Sequence, residues 1–318
     1  MKISLAGARR RALSAFVCAA SLLAACGGGA PIEPFVARRL IVLGDESSVL
    51  ESNGAKYSVN ALAADDVTLN CEANLLWVQI LARVYGLTFA ECPRGSVPTT
   101  ALMLASADAT VGSISAQIDA VGGFVEKDLV TLLAGANDIL AQYALVAAGP
   151  RTEGEAAAVL KNAGVALAGQ VNRIANTGGK VLISTVPDLG LTPFAIAQET
   201  LAAGRAALLT RLTQAFNDNL RNNIINDGRR IGLLLTDELV QSVVRNPAGA
   251  GLANATQAVC NPGLARTGCT TLTLVTPAAP AASASAGTYL WANDRLFSAG
   301  GHSLLGIQAV SRAGGNPF

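Results

Sequence analysis

The 318-residue chain is 51% hydrophobic and only 14% charged, which is enough apolar surface for a packed core and excludes an intrinsically disordered protein. Lys and Arg number 23 against 22 Asp and Glu, and the basic residues cluster only near the N-terminus, so nucleic acid is not expected as a partner. The single histidine, His302, excludes a multi-histidine metal site, and any Ser–His catalysis has to use that ring. We expect no metal and no other cofactor.

The N-terminus has the features of an export signal. Basic residues at positions 9–11 precede an apolar run, Ala12 to Leu23, that is short for a membrane-spanning helix. The run ends in Leu23-Ala24-Ala25-Cys26, which resembles the bacterial lipobox, where cleavage leaves a lipid-modified cysteine as the first residue. We predict a signal peptide over 1–25, lipidation of Cys26 and a flexible tether over 26–36. The protein would then be anchored in a membrane, most simply the outer membrane at its periplasmic face or the cell surface.

An ordinary signal peptide with an incidental cysteine is the alternative to lipidation.

With Cys18 removed in the signal and Cys26 assigned to lipid, an even number of cysteines remains in an oxidising compartment, which predicts two disulfides. The remaining residues are Cys71, Cys92, Cys260 and Cys269. Of the three possible pairings we favour Cys71–Cys92 with Cys260–Cys269, because each closes a local loop flanked by turn residues. Buried free thiols are the alternative.

Short apolar runs alternate with long Ala/Leu-rich stretches of helical spacing along the mature chain. Each apolar run is short enough for a strand buried on both faces. The runs lie at 40–43, 129–133, 180–186 and 231–235, and the helical stretches at 74–85, 114–124, 153–176 and 198–226. This order predicts an α/β fold, a three-layer α/β/α sandwich with a mainly parallel, doubly wound sheet. We expect one domain over 37–318, with a Pro/Gly/Ala-rich excursion at about 246–286.

Each predicted strand is followed by a polar or glycine-containing turn, at the edge where such sheets bind ligands. Leu43-Gly44-Asp45 follows the first strand and Ala134 to Asp138 the second, while Tyr289 to Ala292 and Gly301 to Leu305 lie near the C-terminus. In this order the segments resemble the conserved blocks of the SGNH, or GDSL, ester-hydrolase family, and the ordering carries the resemblance. It covers essentially the whole mature chain and implies a flavodoxin-like hydrolase fold acting on acyl or acetyl esters.

The family's chemistry requires a serine activated by a histidine that an aspartate orients, with an oxyanion hole beside them. Matched onto this sequence, Glu46 stands at the nucleophile position, Asn293 at the Asp position and Leu296 at the His position. Asn137 and Gly95 match the oxyanion-hole donors. The resemblance thus implies a degraded triad, in which we expect the Glu46 carboxylate to accept hydrogen bonds, including one from Asn137, that would otherwise stabilise an oxyanion.

A displaced triad is the alternative. Ser47 or Ser48 would attack, His302 would act as the base, and Asp294, eight residues before it, would orient the ring. A separation of that length with two glycines in it does not by itself hold the two groups together. Our leading hypothesis is therefore a lipoprotein that binds a small acyl-ester or glycan ligand without hydrolysing it. An active esterase using the displaced triad and a purely structural envelope protein are the alternatives.

Overall fold

The structure is a computed structural model that describes residues 35–276 and 285–315. The predicted signal peptide, Cys26, most of the tether and residues 277–284 of the excursion lie outside the described residues. Phe35–Phe318 forms a compact unit of its own, beginning two residues before the predicted start of the domain. Among the described residues, no helix has both the length and the apolar character needed to cross a membrane.

A six-stranded, wholly parallel sheet forms the centre of the unit. Its strands are β1 (Arg39–Gly44), β2 (Thr88–Phe89), β3 (Thr99–Met103), β4 (Asp128–Leu133), β5 (Lys180–Ser184) and β6 (Ile231–Leu234). They lie in the order β2-β3-β1-β4-β5-β6, so the chain winds outward from β1 in both directions. All the carboxyl ends therefore meet at one edge, and the predicted doubly wound α/β fold is confirmed.

Helices cover both faces of the sheet. They are α1 (Trp77–Val84), α2 (Ile114–Ala120), α3 (Ala136–Ala147), α4 (Glu153–Asn176), α5 (Pro193–Leu201), α6 (Arg205–Asn223), α7 (Thr236–Arg245) and α8 (Ala299–Ala313). Alternate residues of β1 point to opposite faces: Leu40 and Val42 pack with α1, α7 and α8, and Ile41 and Leu43 pack with α2 to α6. The sheet thus separates two apolar cores, as a three-layer sandwich requires.

The predicted helix over 198–226 is instead divided between α5 and α6. Gly204 lies between them with φ at +88°, a left-handed conformation that interrupts the helix and that glycine adopts without strain. The short strands β2 and β3 were not predicted, because β3 is partly exposed and lacks a continuous apolar run. The helices α3 and α7 were not predicted either, whereas the four predicted strands and the predicted helices α1, α2 and α4 have bounds within a few residues of the prediction.

The excursion packs back onto the domain. Its strand β7 (Asn254–Ala258) pairs in parallel with β8 (Tyr289–Trp291). Both favoured disulfides, Cys71–Cys92 and Cys260–Cys269, are present. The Asn60 amide donates to the carbonyls of Thr267 and Cys269 at 2.9 and 3.2 Å, which fixes the second disulfide loop against the segment that follows β1.

Candidate functional site

The turn after β1 is shaped by Gly44. Its φ is +123°, and a Cβ there would lie 1.9 Å from the Leu133 carbonyl oxygen, so only glycine fits. The Asp45 N–H donates to that same carbonyl at 2.9 Å. The Asp45 carboxylate then accepts the Ser47 N–H at 3.0 Å and caps the short 3-10 turn Glu46–Ser48. This turn places Glu46 at the carboxyl edge of the sheet with only 3% of its surface exposed.

Three segments donate hydrogen bonds to the Glu46 carboxylate. Its Oε2 accepts from the Asn137 side-chain amide and from the Asp108 backbone N–H, both at 3.0 Å. Its Oε1 accepts from Arg266 Nη1 at 2.8 Å. Asn137 lies in the first turn of α3 and Asp108 in the loop after β3, so the contacts join segments that meet at the carboxyl edge. The contact between Glu46 and Asn137 expected from the sequence is present.

Arg266 is held over this site by its position in the loop that Cys260–Cys269 closes. Its Nη2 donates to both carboxylate oxygens of Asp108, at 2.8 and 2.9 Å. Its guanidinium also lies 5.4 Å from the centre of the Tyr57 ring. The arginine therefore bridges two carboxylates, one buried and one exposed. A planar guanidinium that donates to two carboxylates holds them in a fixed relative position. Loss of Arg266 would leave the buried Glu46 carboxylate without a charged partner.

Asp45 supports the turn. It is completely buried, and its Oδ2 has no hydrogen-bond partner among the described residues. Burial, followed by the charge of the neighbouring Glu46, raises the pKa of Asp45 well above its usual range. The raised pKa favours the neutral form of Asp45, which reduces the repulsion between two adjacent buried acidic side chains at the end of β1.

The Asp and His positions assigned by resemblance form a local turn. The Asn293 side-chain oxygen accepts the N–H groups of Arg295 and Leu296 at 3.1 and 2.9 Å. Leu296 is 5% exposed and has no titratable group. The same turn and Arg266 line one cleft of about 620 Å³, so the last block of the resemblance does come to the edge where Glu46 lies. Leu296, at the His position, cannot act as a general base.

The displaced triad is not assembled in the described residues. His302 is 1% exposed, its Nδ1 accepts the Trp77 backbone N–H at 3.4 Å, and its Nε2 has no partner. Ser48 Oγ accepts instead from the Trp77 indole N–H at 3.1 Å. Burial, and then the charge of Lys56, lower the pKa of His302 to about 3. No hydrogen bond joins Ser47 or Ser48 to His302, so Trp77 occupies the bonding positions that a serine–histidine pair needs.

Asp294 and Gly95 are the two remaining candidates from the sequence. The Asp294 carboxylate pairs with Arg295 at 3.1 Å and lines the cleft. Gly95 is exposed in the segment before β3, where its neighbour Arg94 donates to the carbonyl of Leu87 at the start of β2. This corrects the assignment of Gly95 to the oxyanion hole: a residue before a parallel strand lies at the amino edge, and the backbone donor beside Asn137 is that of Asp108.

Arg266 and Asp108 were not found by sequence reasoning. Arg266 is the single charged residue between Cys260 and Cys269, a signal that could have drawn attention to it. Asp108 has a positive φ of 58° in the loop after β3 but no sequence motif. In the described part of the chain, the side chains spaced to hold a metal ion are Cys71, Glu72 and Cys92. Both sulfurs are bonded to each other, so they offer no thiolate.

The sequence profile of the GDSL-like Lipase/Acylhydrolase family matches residues 47–241, which is more than half of the chain. The chain therefore belongs to this family of ester hydrolases. A search of curated proteins gave no match.

Two solved structures illustrate what the chain is similar to. One is Axe2, an acetylxylan esterase from Geobacillus stearothermophilus, with 12% identity and a TM-score of 0.47 over 89% of this chain and 97% of that one. The other is LAE5, an α/β hydrolase enzyme from the metagenome of Lake Arreo, Spain, with 16% identity and a TM-score of 0.44 over 88% of this chain and 97% of that one.

Proposed function

We propose that this protein is an exported, lipid-anchored member of the family that binds a small acyl-ester or glycan ligand without hydrolysing it. The observation that carries the proposal is the Glu46 carboxylate, bonded at 3.0 Å to both the Asn137 amide and the Asp108 N–H. Donors placed at this edge would stabilise a tetrahedral oxyanion in a hydrolysing relative. In this protein the Glu46 carboxylate accepts the hydrogen bonds from these donors instead.

The missing base supports the same proposal. Leu296 cannot take a proton from a nucleophile, and Asn293 cannot stabilise an imidazolium as a carboxylate does. His302 is enclosed beneath Trp77, with 1% of its surface exposed. A residue in this environment has no path to a substrate bound in the cleft. The site thus retains donors and a binding surface and lacks an activated nucleophile.

The cleft supports a binding role. Its volume of about 620 Å³ is within the range of small-molecule sites. Phe194, Pro262 and Leu264 give it apolar walls, while Asn293 and Arg295 place polar groups on one side. Apolar walls with a few polar groups suit an acyl chain attached to a polar head, or the face of an acylated sugar.

The first test measures hydrolysis of 4-nitrophenyl acetate by the natural sequence and by Ser47→Ala. We expect neither protein to exceed the rate in buffer with denatured protein. Hydrolysis by the natural sequence that disappears in Ser47→Ala would establish the displaced triad and overturn the proposal.

The second test measures binding to the cleft. Calorimetric titration with 4-nitrophenyl butyrate and with an acetylated xylo-oligosaccharide should show saturable binding of one of them. Leu264→Arg, which places a charged side chain in the cleft wall, should abolish that binding. Leu272→Arg is the matched control, because Leu272 is 63% exposed and does not line the cleft. Absence of saturation by both probes would favour a structural role instead.

A further inference from the structure

Basic residues gather at the amino edge of the sheet, opposite the Glu46 site. They stand at or just before the starts of β1, β4, β5 and β6, and because the sheet is parallel these starts share one edge. We call this set the basic edge: Arg38, Arg39, Lys127, Lys180, Arg229 and Arg230. Backbone hydrogen bonds tie its parts together, from Arg38 N–H to the Lys127 carbonyl at 2.9 Å and from Val181 N–H to the Arg230 carbonyl at 2.7 Å.

The basic edge has an excess of positive charge that the whole chain lacks. The neighbouring acids are Glu126, Asp128 and Asp227, and Asp128 is paired with Arg39. Six cations against three anions contrast with a formal charge of +1 for the complete sequence. Burial, and then the charge of Lys127, lower the pKa of Lys180, with Arg230 acting in the same direction. These like charges are thus close enough to interact.

Exposed apolar side chains lie in the same segments. Val36 precedes β1, Val125 precedes β4 and Ile225 precedes β6, with 57%, 61% and 44% of their surfaces exposed. Large aliphatic side chains in water among cations are typical of surfaces that enter a lipid headgroup layer, where charge attracts the protein and apolar groups insert. The combination distinguishes this edge from an ordinary solvated basic surface.

The chain also enters the compact unit at this edge. Phe35, its first residue, lies with its ring 4.6 Å from Lys180 Nζ. The predicted lipid anchor, Cys26, is nine residues earlier in the sequence. Nine residues reach at most roughly 30 Å when fully extended. A lipid at Cys26 would therefore keep the basic edge near the membrane surface.

We infer that the basic edge docks on a membrane surface rich in anionic phospholipid headgroups. Its exposed cations, Arg38, Lys127, Arg229 and Arg230, pair with headgroup phosphates. The side chains of Val36, Val125 and Ile225 enter the interfacial region. The orientation relative to the anchor rests on the lipidation in the proposed function, whereas the docking itself does not. With this edge on the membrane, the Glu46 site lies at the far end of β1, about 20 Å from the lipid, and the cleft opens to the aqueous side.

The test uses the chain from Gly27 to Phe318, which lacks Cys26 and keeps the whole compact unit Phe35–Phe318 with its two cores and two disulfides. Binding is measured by co-sedimentation with phosphatidylcholine vesicles prepared with or without phosphatidylglycerol. We expect binding only to the vesicles that contain phosphatidylglycerol, weakened by added salt. Arg38→Glu with Lys127→Glu should weaken it roughly 30-fold or more, since each cation near an anionic surface contributes strongly.

The matched control is Lys161→Glu with Arg211→Glu. Both residues are exposed, on α4 and α6, and the double change alters the net charge by the same amount. Lys161 precedes the end of α4 by 15 residues, which places it about 22 Å from the amino edge. The control should bind as the natural chain does, and thermal unfolding verifies that both variants fold. Equal loss in the control, binding without phosphatidylglycerol, or no loss in Arg38→Glu with Lys127→Glu would overturn the inference.

Failure here is distinguishable from failure of the proposed function. Vesicle binding by this unlipidated chain does not depend on Cys26, on the cleft or on ester hydrolysis. An active esterase could still dock through the basic edge, and an inactive binder could lack docking.

Discussion

Arg266 and Glu46 form an ion pair across 220 residues of sequence, with Nη1 and Oε1 2.8 Å apart. The pair joins a disulfide-closed loop to the turn that follows the first strand. Because the same guanidinium also holds Asp108, the carboxylate at the nucleophile position is covered from the solvent side. The ion pairs of Arg266 with Glu46 and Asp108 thus close the site on its solvent side.

Arg266→Ala should destabilise the protein by about 1–3 kcal/mol, because it leaves the Glu46 carboxylate buried with one charged partner fewer. Urea unfolding followed by circular dichroism measures the change. Adding Glu46→Gln to Arg266→Ala should recover part of the loss, since no uncompensated charge then remains. Arg295→Ala, in the same cleft but paired with the partly exposed Asp294, is the control and should cost less. Equal losses in the two arginine variants would show that the ion pair with Glu46 has no special importance.

Restoring the family's triad should require all its members. Glu46→Ser, Asn293→Asp and Leu296→His together should give detectable hydrolysis of 4-nitrophenyl acetate, while Glu46→Ser alone should give none. The Asn137 amide and the Asp108 N–H are then released to an oxyanion. Replacing Glu46 by alanine in the same background is the control for a non-catalytic effect of the other two changes. Activity in that control would argue against a restored serine nucleophile.

The two disulfides should differ in their effect on the cleft. Peptide mapping without reduction should recover Cys71–Cys92 and Cys260–Cys269. Replacing either pair by serine should lower stability by about 2–4 kcal/mol. Loss of Cys260–Cys269 should in addition weaken ligand binding, because that loop carries Arg266 and much of the cleft wall. Cys71–Cys92 lies outside the cleft lining and is the control. Unchanged binding without Cys260–Cys269 would show that the loop keeps its shape unaided.

Stability should depend on pH through His302. Its pKa is lowered to about 3 in the folded protein, so the unfolded chain binds a proton near pH 6.5 that the folded one does not. This contribution is fully present above pH 6.5 and is lost as the pH falls towards 3. Between pH 7 and pH 5 the loss should be about 2 kcal/mol.

His302→Asn is the control for this pH dependence, since it retains an acceptor for the Trp77 N–H and does not titrate. The change in unfolding free energy from pH 7 to pH 5, measured with urea, should differ by about 2 kcal/mol between the variant and the natural sequence, because every other titrating group is common to both. Asp45 acts in the opposite sense: with its pKa raised, its contribution is present at low pH and is lost as the pH rises through that raised value. Equal pH dependence of the variant and the natural sequence would mean that His302 is not the source.

Anchoring should depend on Cys26. Cys26→Ser should release the protein from membranes or halt its maturation, because the lipid attachment site is lost. Membrane fractionation and mass spectrometry of the N-terminal peptide measure the two effects. Cys18→Ser, within the predicted signal peptide, is the control and should leave the mature protein unchanged. Unchanged fractionation of Cys26→Ser, with no acyl mass on the natural peptide, would contradict lipidation.

The fold could be predicted because the central strands are buried on both faces and therefore have continuous apolar sequences, as in Leu40 to Leu43. The turns after these strands could be predicted because glycine and polar residues follow each apolar run. In a parallel sheet these turns lie at one edge, which is where the prediction placed Glu46 and Asn137. Arg266 could not be placed, since its contacts with Glu46 and Asp108 span 220 and 158 residues. The assignment of Gly95 to the oxyanion hole was wrong because β3 is short and partly exposed and was not predicted. Without that strand, the sequence did not show that Gly95 precedes it and lies at the amino edge of the sheet.

Trp77 separates the two groups that a displaced triad would have to join. Its indole N–H bonds Ser48 and its backbone N–H bonds His302, so a direct contact between Ser48 and His302 requires the tryptophan to be displaced. The residue is fully buried, and truncating a buried tryptophan costs about 3–5 kcal/mol, a large part of the stability of a typical domain. Building a Ser48–His302 pair would therefore require the surrounding core to be repacked as well, at a stability cost of that size.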